Sequence, residues 1–86
     1  MPEISRFYGI IIAMYFADHN PPHFHVRYGG HKAVISIRDL SLLEGRISPR
    51  ALGMVVEWAS RHQEELLRNW ELARNNKHPN KITPLD

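Results

Sequence analysis

Three of the six histidines of this 86-residue chain lie within seven residues of one another. They are His19, His23 and His25, in the segment D-H-N-P-P-H-F-H-V-R-Y that spans residues 18 to 28. Imidazole groups titrate near neutral pH and are common metal ligands. The cluster therefore indicates either proton-transfer chemistry or metal binding.

Metal binding is the first chemistry that this spacing allows. His23 and His25 are one residue apart, so both rings would project from one face of a β-strand. Asp18 or His19 could supply a third ligand. Several basic side chains are predicted on the same face, and cations disfavour a bound divalent ion. A His-ligated metal-binding protein therefore stays only as the second alternative, and we predict no metal ligands and no cofactor.

Metal-independent cleavage of RNA is the second chemistry. It needs a base for the 2′-hydroxyl, an acid for the leaving oxygen and cations for the charge that develops on the phosphate. His19, His23 and His25 are the candidates for the acid and the base. The predicted substrate-binding residues are Asn20, Arg27, Tyr28, Lys32 and Arg38.

Binding without chemistry is the third possibility. A basic sheet face can dock nucleic acid or an acidic partner protein. Nothing in the sequence excludes this function. A surface that only binds would have no need of catalytic histidines, which favours the cleavage hypothesis.

Two glycines indicate how the histidines are displayed. Gly29-Gly30 separates two runs that alternate between apolar and polar residues, which is a strong signal for a two-residue hairpin. Such a hairpin pairs Tyr28 with His31 and His23 with Ser36. Its predicted core face carries Phe24, Val26, Tyr28, Ala33, Ile35 and Ile37. Its other face carries His23, His25, Arg27, Lys32, Val34, Ser36 and Arg38, with no acid among them. A one-residue slip would bury the basic residues, so the hydrophobic pattern supports this register.

Strand signals flank the hairpin, and a helix signal follows it. The apolar run from residue 10 to 16 predicts a buried strand, and residues 42 to 47 predict a short edge strand. Ser48 and Pro49 have the residue types of an N-cap and a first helical residue. An apolar stripe at helical spacing then continues toward Asn75. A straight helix of this length would be unusual, so the pattern is also compatible with a kink or break near residues 60 to 62.

Trp58 lies off the apolar stripe of this helix and indicates a contact with a partner.

These elements predict a single α+β domain over residues 1–86. Residues 1–47 would form a mainly antiparallel sheet of three to four strands, and residues 48–76 one long C-terminal helix that covers it. Residues 77–86 would be a polar tail, extended or loosely docked. Chains of this size have small cores and often depend on a partner, which is compatible with a homodimer or a heteromer.

Composition narrows the cellular setting. The chain has no cysteine, which excludes disulfides and thiolate metal sites and fits a cytoplasmic protein. Its longest apolar run is far shorter than the roughly 20 residues that a membrane helix needs. The net charge is +2, so any attraction for nucleic acid depends on where the basic residues lie.

Several motifs resemble a family of small prokaryotic domains of unknown function. The motifs are I-S-R-F-Y-G-I-I-I (residues 4–12), M-Y-F-x-D-H-N-P-P-H-F-H-x-x-Y-G-G (14–30), R-A-L (50–52), E-W-A (57–59) and N-W-E-L-A (69–73). The H-N-P-P-H-F-H core is the most specific of them. The resemblance implies a protein encoded beside a second small protein. It further implies a toxin–antitoxin-type module, with this chain as the toxin and a small antitoxin-like protein as its partner.

Overall fold

The computed structural model describes residues 2–86 and shows an α+β fold. Five strands come first in the chain and two helices follow. Their bounds are β1 Glu3–Phe7, β2 Ile10–Ala13, β3 His23–Tyr28, β4 His31–Ser36, β5 Leu42–Gly45, α1 Pro49–Ser60 and α2 Gln63–Arg74. The strands form one antiparallel sheet in the order β1-β2-β3-β4-β5, so each strand pairs with its neighbour in sequence.

The β3–β4 hairpin has the predicted register. Tyr28 lies opposite His31, and the pairing continues without a slip to His23 opposite Ser36. Gly29, in the connecting turn, has a φ of 61°, a conformation that glycine adopts without strain. The two glycines and the apolar alternation were therefore sufficient to predict the register of this hairpin.

The sheet has five strands, and the prediction of three to four was too low. β1 was missed because it is short and does not alternate regularly. It pairs with β2 through a two-residue turn in which Tyr8 and Gly9 have φ values of 51° and 80°. Positive φ at both positions matches the twist of a hairpin, so Gly9 was the available signal. β2 ends at Ala13, three residues before the predicted end at Phe16.

Two helices replace the single long helix that was predicted. α1 begins at Pro49 with Ser48 as its N-cap, as predicted, and the Ser48 hydroxyl accepts a hydrogen bond from the Ala51 N–H at 3.2 Å. The helix ends at Ser60, within the interval where a break was allowed for. His62, with φ −131° and ψ 23°, has left the helical region before α2 starts. None of the helices in residues 2–86 is long and apolar enough to cross a membrane.

The apolar core lies between the sheet and the helices, and Trp58 is part of it. The indole is fully buried, and its ring centroid lies 5.4 Å from that of Phe7 and 6.0 Å from that of Phe24. Its Nε1–H donates to the carbonyl of Thr83 at 2.8 Å. The interpretation of Trp58 as a partner contact was therefore wrong.

The tail packs onto the domain rather than extending away from it. The Ile82 N–H donates to the carbonyl of Ile4 at 2.8 Å, and the Ile82 side chain is buried. The buried Asn69 side chain holds the backbone of Asn80 at both its N–H and its carbonyl, at 2.8 and 2.9 Å. The tail thus closes over the edge of the core beside β1 and α2.

Candidate functional site

The candidate site forms where the loop after β2 meets the start of β3. Asp18 lies in that loop, and His23 and His25 are the first and third residues of β3. Side chains alternate along a strand, so the two imidazoles share one face of the sheet while Phe24 points into the core.

One carboxylate oxygen contacts both rings. Oδ2 of Asp18 lies 2.8 Å from Nε2 of His23 and 3.2 Å from Nε2 of His25. Taking one ligand atom from each residue, all three atoms lie within 4.8 Å of one another. We call these three residues the DHH cluster. Its nitrogen and oxygen atoms are of the kind that bind divalent transition ions.

The second carboxylate oxygen is held by the backbone. Oδ1 of Asp18 accepts a hydrogen bond from the His19 N–H at 2.9 Å, and Nδ1 of the His19 ring lies 3.1 Å from the same oxygen. The His19 side chain is 86% exposed. His19 is thus next to the DHH cluster but faces solvent, unlike the other two histidines.

His23 is buried, although the hairpin pattern placed it on an open face. Its side chain is 4% exposed, and its ring packs against Trp70 of α2 with a centroid distance of 5.0 Å. Nδ1 of His23 lies 2.7 Å from the carbonyl oxygen of Pro21. A carbonyl oxygen can only accept, so Nδ1 carries the hydrogen. The solvent-facing prediction fails because α2 and the proline loop cover the first residue of β3.

Two members of the DHH cluster have displaced pKa values. Burial is the largest influence on Asp18 and raises its pKa. A hydrogen bond from the His19 N–H and the contacts with the rings of His25 and His23 outweigh it, and the pKa lies below its ordinary value. Burial is the largest influence on His25 and, with the nearby His23, it holds the pKa of His25 below its ordinary value despite the contact with Asp18. The site therefore favours an ionised Asp18 and a neutral His25.

A cavity of about 300 Å³ opens beside His25. Arg27 and Lys32, both exposed, line it together with Tyr15, whose ring centroid is 4.2 Å from that of His25. Glu44 of β5 also lines it, because β5 pairs Glu44 with Val34. The predicted acid-free face is therefore wrong for the assembled sheet, since a neighbouring strand adds a carboxylate.

The remaining predicted binding residues lie elsewhere. Asn20 is exposed in the loop between Asp18 and β3, and Arg38 is exposed in the turn after β4. Tyr28 is on the opposite face of the sheet, where it lines a separate cavity of about 630 Å³ with Tyr8 and Arg50. The structure thus brings Arg27 and Lys32 to the cavity beside His25, and brings none of these other three there.

The geometry limits what the histidines can do as acids and bases. Nε2 of His23 and Nε2 of His25 both face the Asp18 carboxylate, so these atoms do not face a substrate as a separate acid and base would. The sequence pattern indicated Asp18 only as an optional metal ligand, and it gave no sign that Trp70, Tyr15 and Glu44 lie at the site. Asp18 precedes His23 across a proline turn, which is the one local signal for its position. The others become neighbours only through the packing of distant elements.

The chain belongs to a family of uncharacterised small domains. A family model described as "Domain of unknown function (DUF4160)" matches residues 9–71, which include the DHH cluster, the hairpin and α1. No curated protein and no solved structure gave a significant match to the chain.

Proposed function

We propose that this protein acts on RNA in the cytoplasm as the toxin-like component of a prokaryotic toxin–antitoxin-type module. The observation that supports the proposal is the shared cavity. His25, a member of the DHH cluster, lines it together with Arg27 and Lys32. A phosphate held by the two cations would lie next to the groups that can do chemistry.

The reaction that suits this arrangement is transesterification of the RNA backbone. The 2′-oxygen forms a bond to phosphorus while the bond from phosphorus to the 5′-oxygen breaks. The 2′-hydroxyl loses its proton, and the leaving 5′-oxygen takes one up. The products are a 2′,3′-cyclic phosphate and a 5′-hydroxyl. Arg27 and Lys32 stabilise the charge that develops on the phosphate, and the DHH cluster supplies the reacting centre.

Expression of the chain in a bacterial host tests this proposal. Wild-type protein is expected to arrest growth and to shorten total RNA, leaving cyclic phosphate ends. His25→Ala is expected to abolish both effects, and Arg27→Ala with Lys32→Ala to weaken them. Arg68→Ala, which removes one exposed cation from α2, is the control for loss of positive charge elsewhere on the surface and should behave as wild type.

RNA binding measured at several salt concentrations separates cleavage from simple docking. Each removed phosphate contact should reduce the slope of log affinity against log salt concentration by about 0.7 for single-stranded RNA.

Arrest with intact RNA would contradict the cleavage proposal and favour a non-enzymatic module that binds nucleic acid or protein. Arrest that is unchanged in both the His25 and the Arg27/Lys32 variants would refute the assignment to this face. Co-purification of a small protein encoded beside the chain would test the antitoxin-like partner.

A further inference from the structure

We propose that Asp18, His23 and His25 bind a divalent first-row transition ion. Two imidazoles and one carboxylate form a recurrent set of protein ligands for such ions. The three donor atoms already converge within 4.8 Å. A bound ion would be the reacting group of the same site. Use of the ion on RNA rests on the proposed function, whereas binding of the ion does not.

The orientation of His23 is the strongest support. Metal-bound histidines almost always donate their second ring N–H to a carbonyl or a carboxylate, which fixes the tautomer. Nδ1 of His23 does so to the Pro21 carbonyl, at 2.7 Å. In the neutral ring, Nε2 then carries a lone pair, and this atom is the one that lies 2.8 Å from Oδ2 of Asp18.

The two distances that join Asp18 to the histidines are close to those within a coordination sphere. Ligands about 2.1 Å from an ion lie about 3.0 Å apart at right angles, as in an octahedral site, and about 3.4 Å apart at the tetrahedral angle that zinc prefers. The separations from Oδ2 of Asp18 to Nε2 of His23 and of His25 are 2.8 and 3.2 Å, near the right-angle value and below the tetrahedral one, so the donors would move apart by a few tenths of an ångström around zinc.

The surroundings hold the donors in place. Trp70 packs on the ring of His23 and Tyr15 on the ring of His25, at centroid distances of 5.0 and 4.2 Å. The His19 N–H fixes Oδ1 of Asp18 at 2.9 Å. Rigid ligands with hydrogen-bonded outer atoms are what a metal site requires.

The charge objection raised by the sequence is weaker in the structure. Arg38 lies in the turn after β4 and does not line the cavity beside His25. Glu44 does line it, so a carboxylate faces Arg27 and Lys32 there. Asp18 supplies a further negative charge within the DHH cluster itself.

The ligand set also selects the class of ion. Imidazole nitrogen suits zinc, iron and their neighbours, whereas Mg²⁺ and Ca²⁺ prefer oxygen ligands throughout. Three protein ligands leave positions open for water or substrate, which is typical of catalytic rather than structural sites.

The competing explanation is an ion pair without metal. If Nε2 of His23 carries a hydrogen as well as Nδ1, the ring is an imidazolium that donates to both Pro21 and Asp18. This state satisfies the same two distances. It differs from the metal site in one measurable respect, because it binds no cation.

Calorimetric titration of the purified full chain, without a polyhistidine tag and after treatment with EDTA, tests the inference. Zn²⁺ and Co²⁺ are expected to bind at one ion per chain, and Mg²⁺ far more weakly. Asp18→Asn and His25→Gln are expected to weaken Zn²⁺ binding by about 100-fold or more, since loss of an outer partner alone costs about 10- to 100-fold. The exposed His31→Gln is the control and should bind as wild type.

Folding of each variant is checked by circular dichroism in EDTA. If the two ligand variants do not fold, X-ray absorption at the zinc edge of the wild-type protein decides, and it should show two imidazole nitrogens with oxygen ligands. A wild-type chain that binds neither Zn²⁺ nor Co²⁺, or an affinity that falls equally in His31→Gln, overturns the inference. Bound ion with RNA left intact would refute the proposed function alone. RNA cleavage by a chain that binds no ion would refute the metal site alone.

Discussion

At the scale of single residues, Asp18 changes what the two strand histidines can do. Sequence spacing makes His23 and His25 look like free acids and bases. In the structure both Nε2 atoms face the same carboxylate oxygen. Because both Nε2 atoms face Asp18, they are not free to act on a substrate as a separate acid and base.

Gly45 is the residue at which the backbone is most sensitive to a side chain. Its φ is +82°, and a Cβ there would lie 2.1 Å from the carbonyl oxygen of Lys32. We expect Gly45→Ala to lower the free energy of unfolding by about 2 kcal/mol or more, because backbone strain and a backbone clash combine. Urea denaturation followed by tryptophan fluorescence measures the change.

Gly53→Ala is the matched control for this substitution. Gly53 is exposed within α1, and a Cβ there meets no atom within 4 Å. Alanine is the better helix former, so stability should rise by about 0.5 to 1 kcal/mol. Equal stabilities for the two variants would contradict the conformation described for Gly45.

At the scale of elements, the sequence predicted correctly those features that depend on residues adjacent in the chain. The Gly29-Gly30 turn set the register of β3 and β4. Ser48 and Pro49 marked the start of α1. β1 was missed because five residues of mixed character form a strand only when β2 is available to pair with them.

The N-cap of α1 gives a prediction at this scale. Ser48→Ala removes the hydroxyl that accepts from the Ala51 N–H. We expect the free energy of unfolding to fall by about 1 kcal/mol. Ser60→Ala is the control, because its exposed hydroxyl donates to the Glu57 carbonyl at the other end of the helix. We expect the control to change stability by less than about 0.5 kcal/mol. Losses of the same size in both variants would contradict the capping role.

At the scale of the whole molecule, the tail is part of the fold. The Trp58 indole, the Asn69 amide and the Ile4 carbonyl each bind the backbone of residues 80 to 83. This segment contains one buried apolar side chain, Ile82. Hydrogen bonds with core residues therefore do much to hold this segment on the domain, whereas apolar packing does so for the other elements.

Asn69 tests that interpretation. Asn69→Ala leaves the N–H and the carbonyl of Asn80 without their partners, so we expect a loss of about 1 to 3 kcal/mol in the free energy of unfolding. Asn80→Ala keeps both hydrogen bonds, since Asn80 contributes only backbone atoms to them. Denaturation curves of the two variants should therefore separate clearly. Coincident curves would show that the tail does not contribute to stability in this way.

The sequence by itself determined the register of the hairpin, the side of the sheet on which each hairpin residue lies, and the start of the first helix. Each depends on residues that are neighbours along the chain, through alternation, a turn or a cap. It also placed Tyr28 on the core face, and in the structure the partly buried Tyr28 packs against the core. Only the tertiary structure decided that Asp18 meets both histidines, that Trp70 buries His23, and that Glu44 joins the basic face. These contacts depend on the path of a loop, the placement of a helix and the pairing of an edge strand. Apart from the proline turn between Asp18 and His23, no local pattern indicates that geometry.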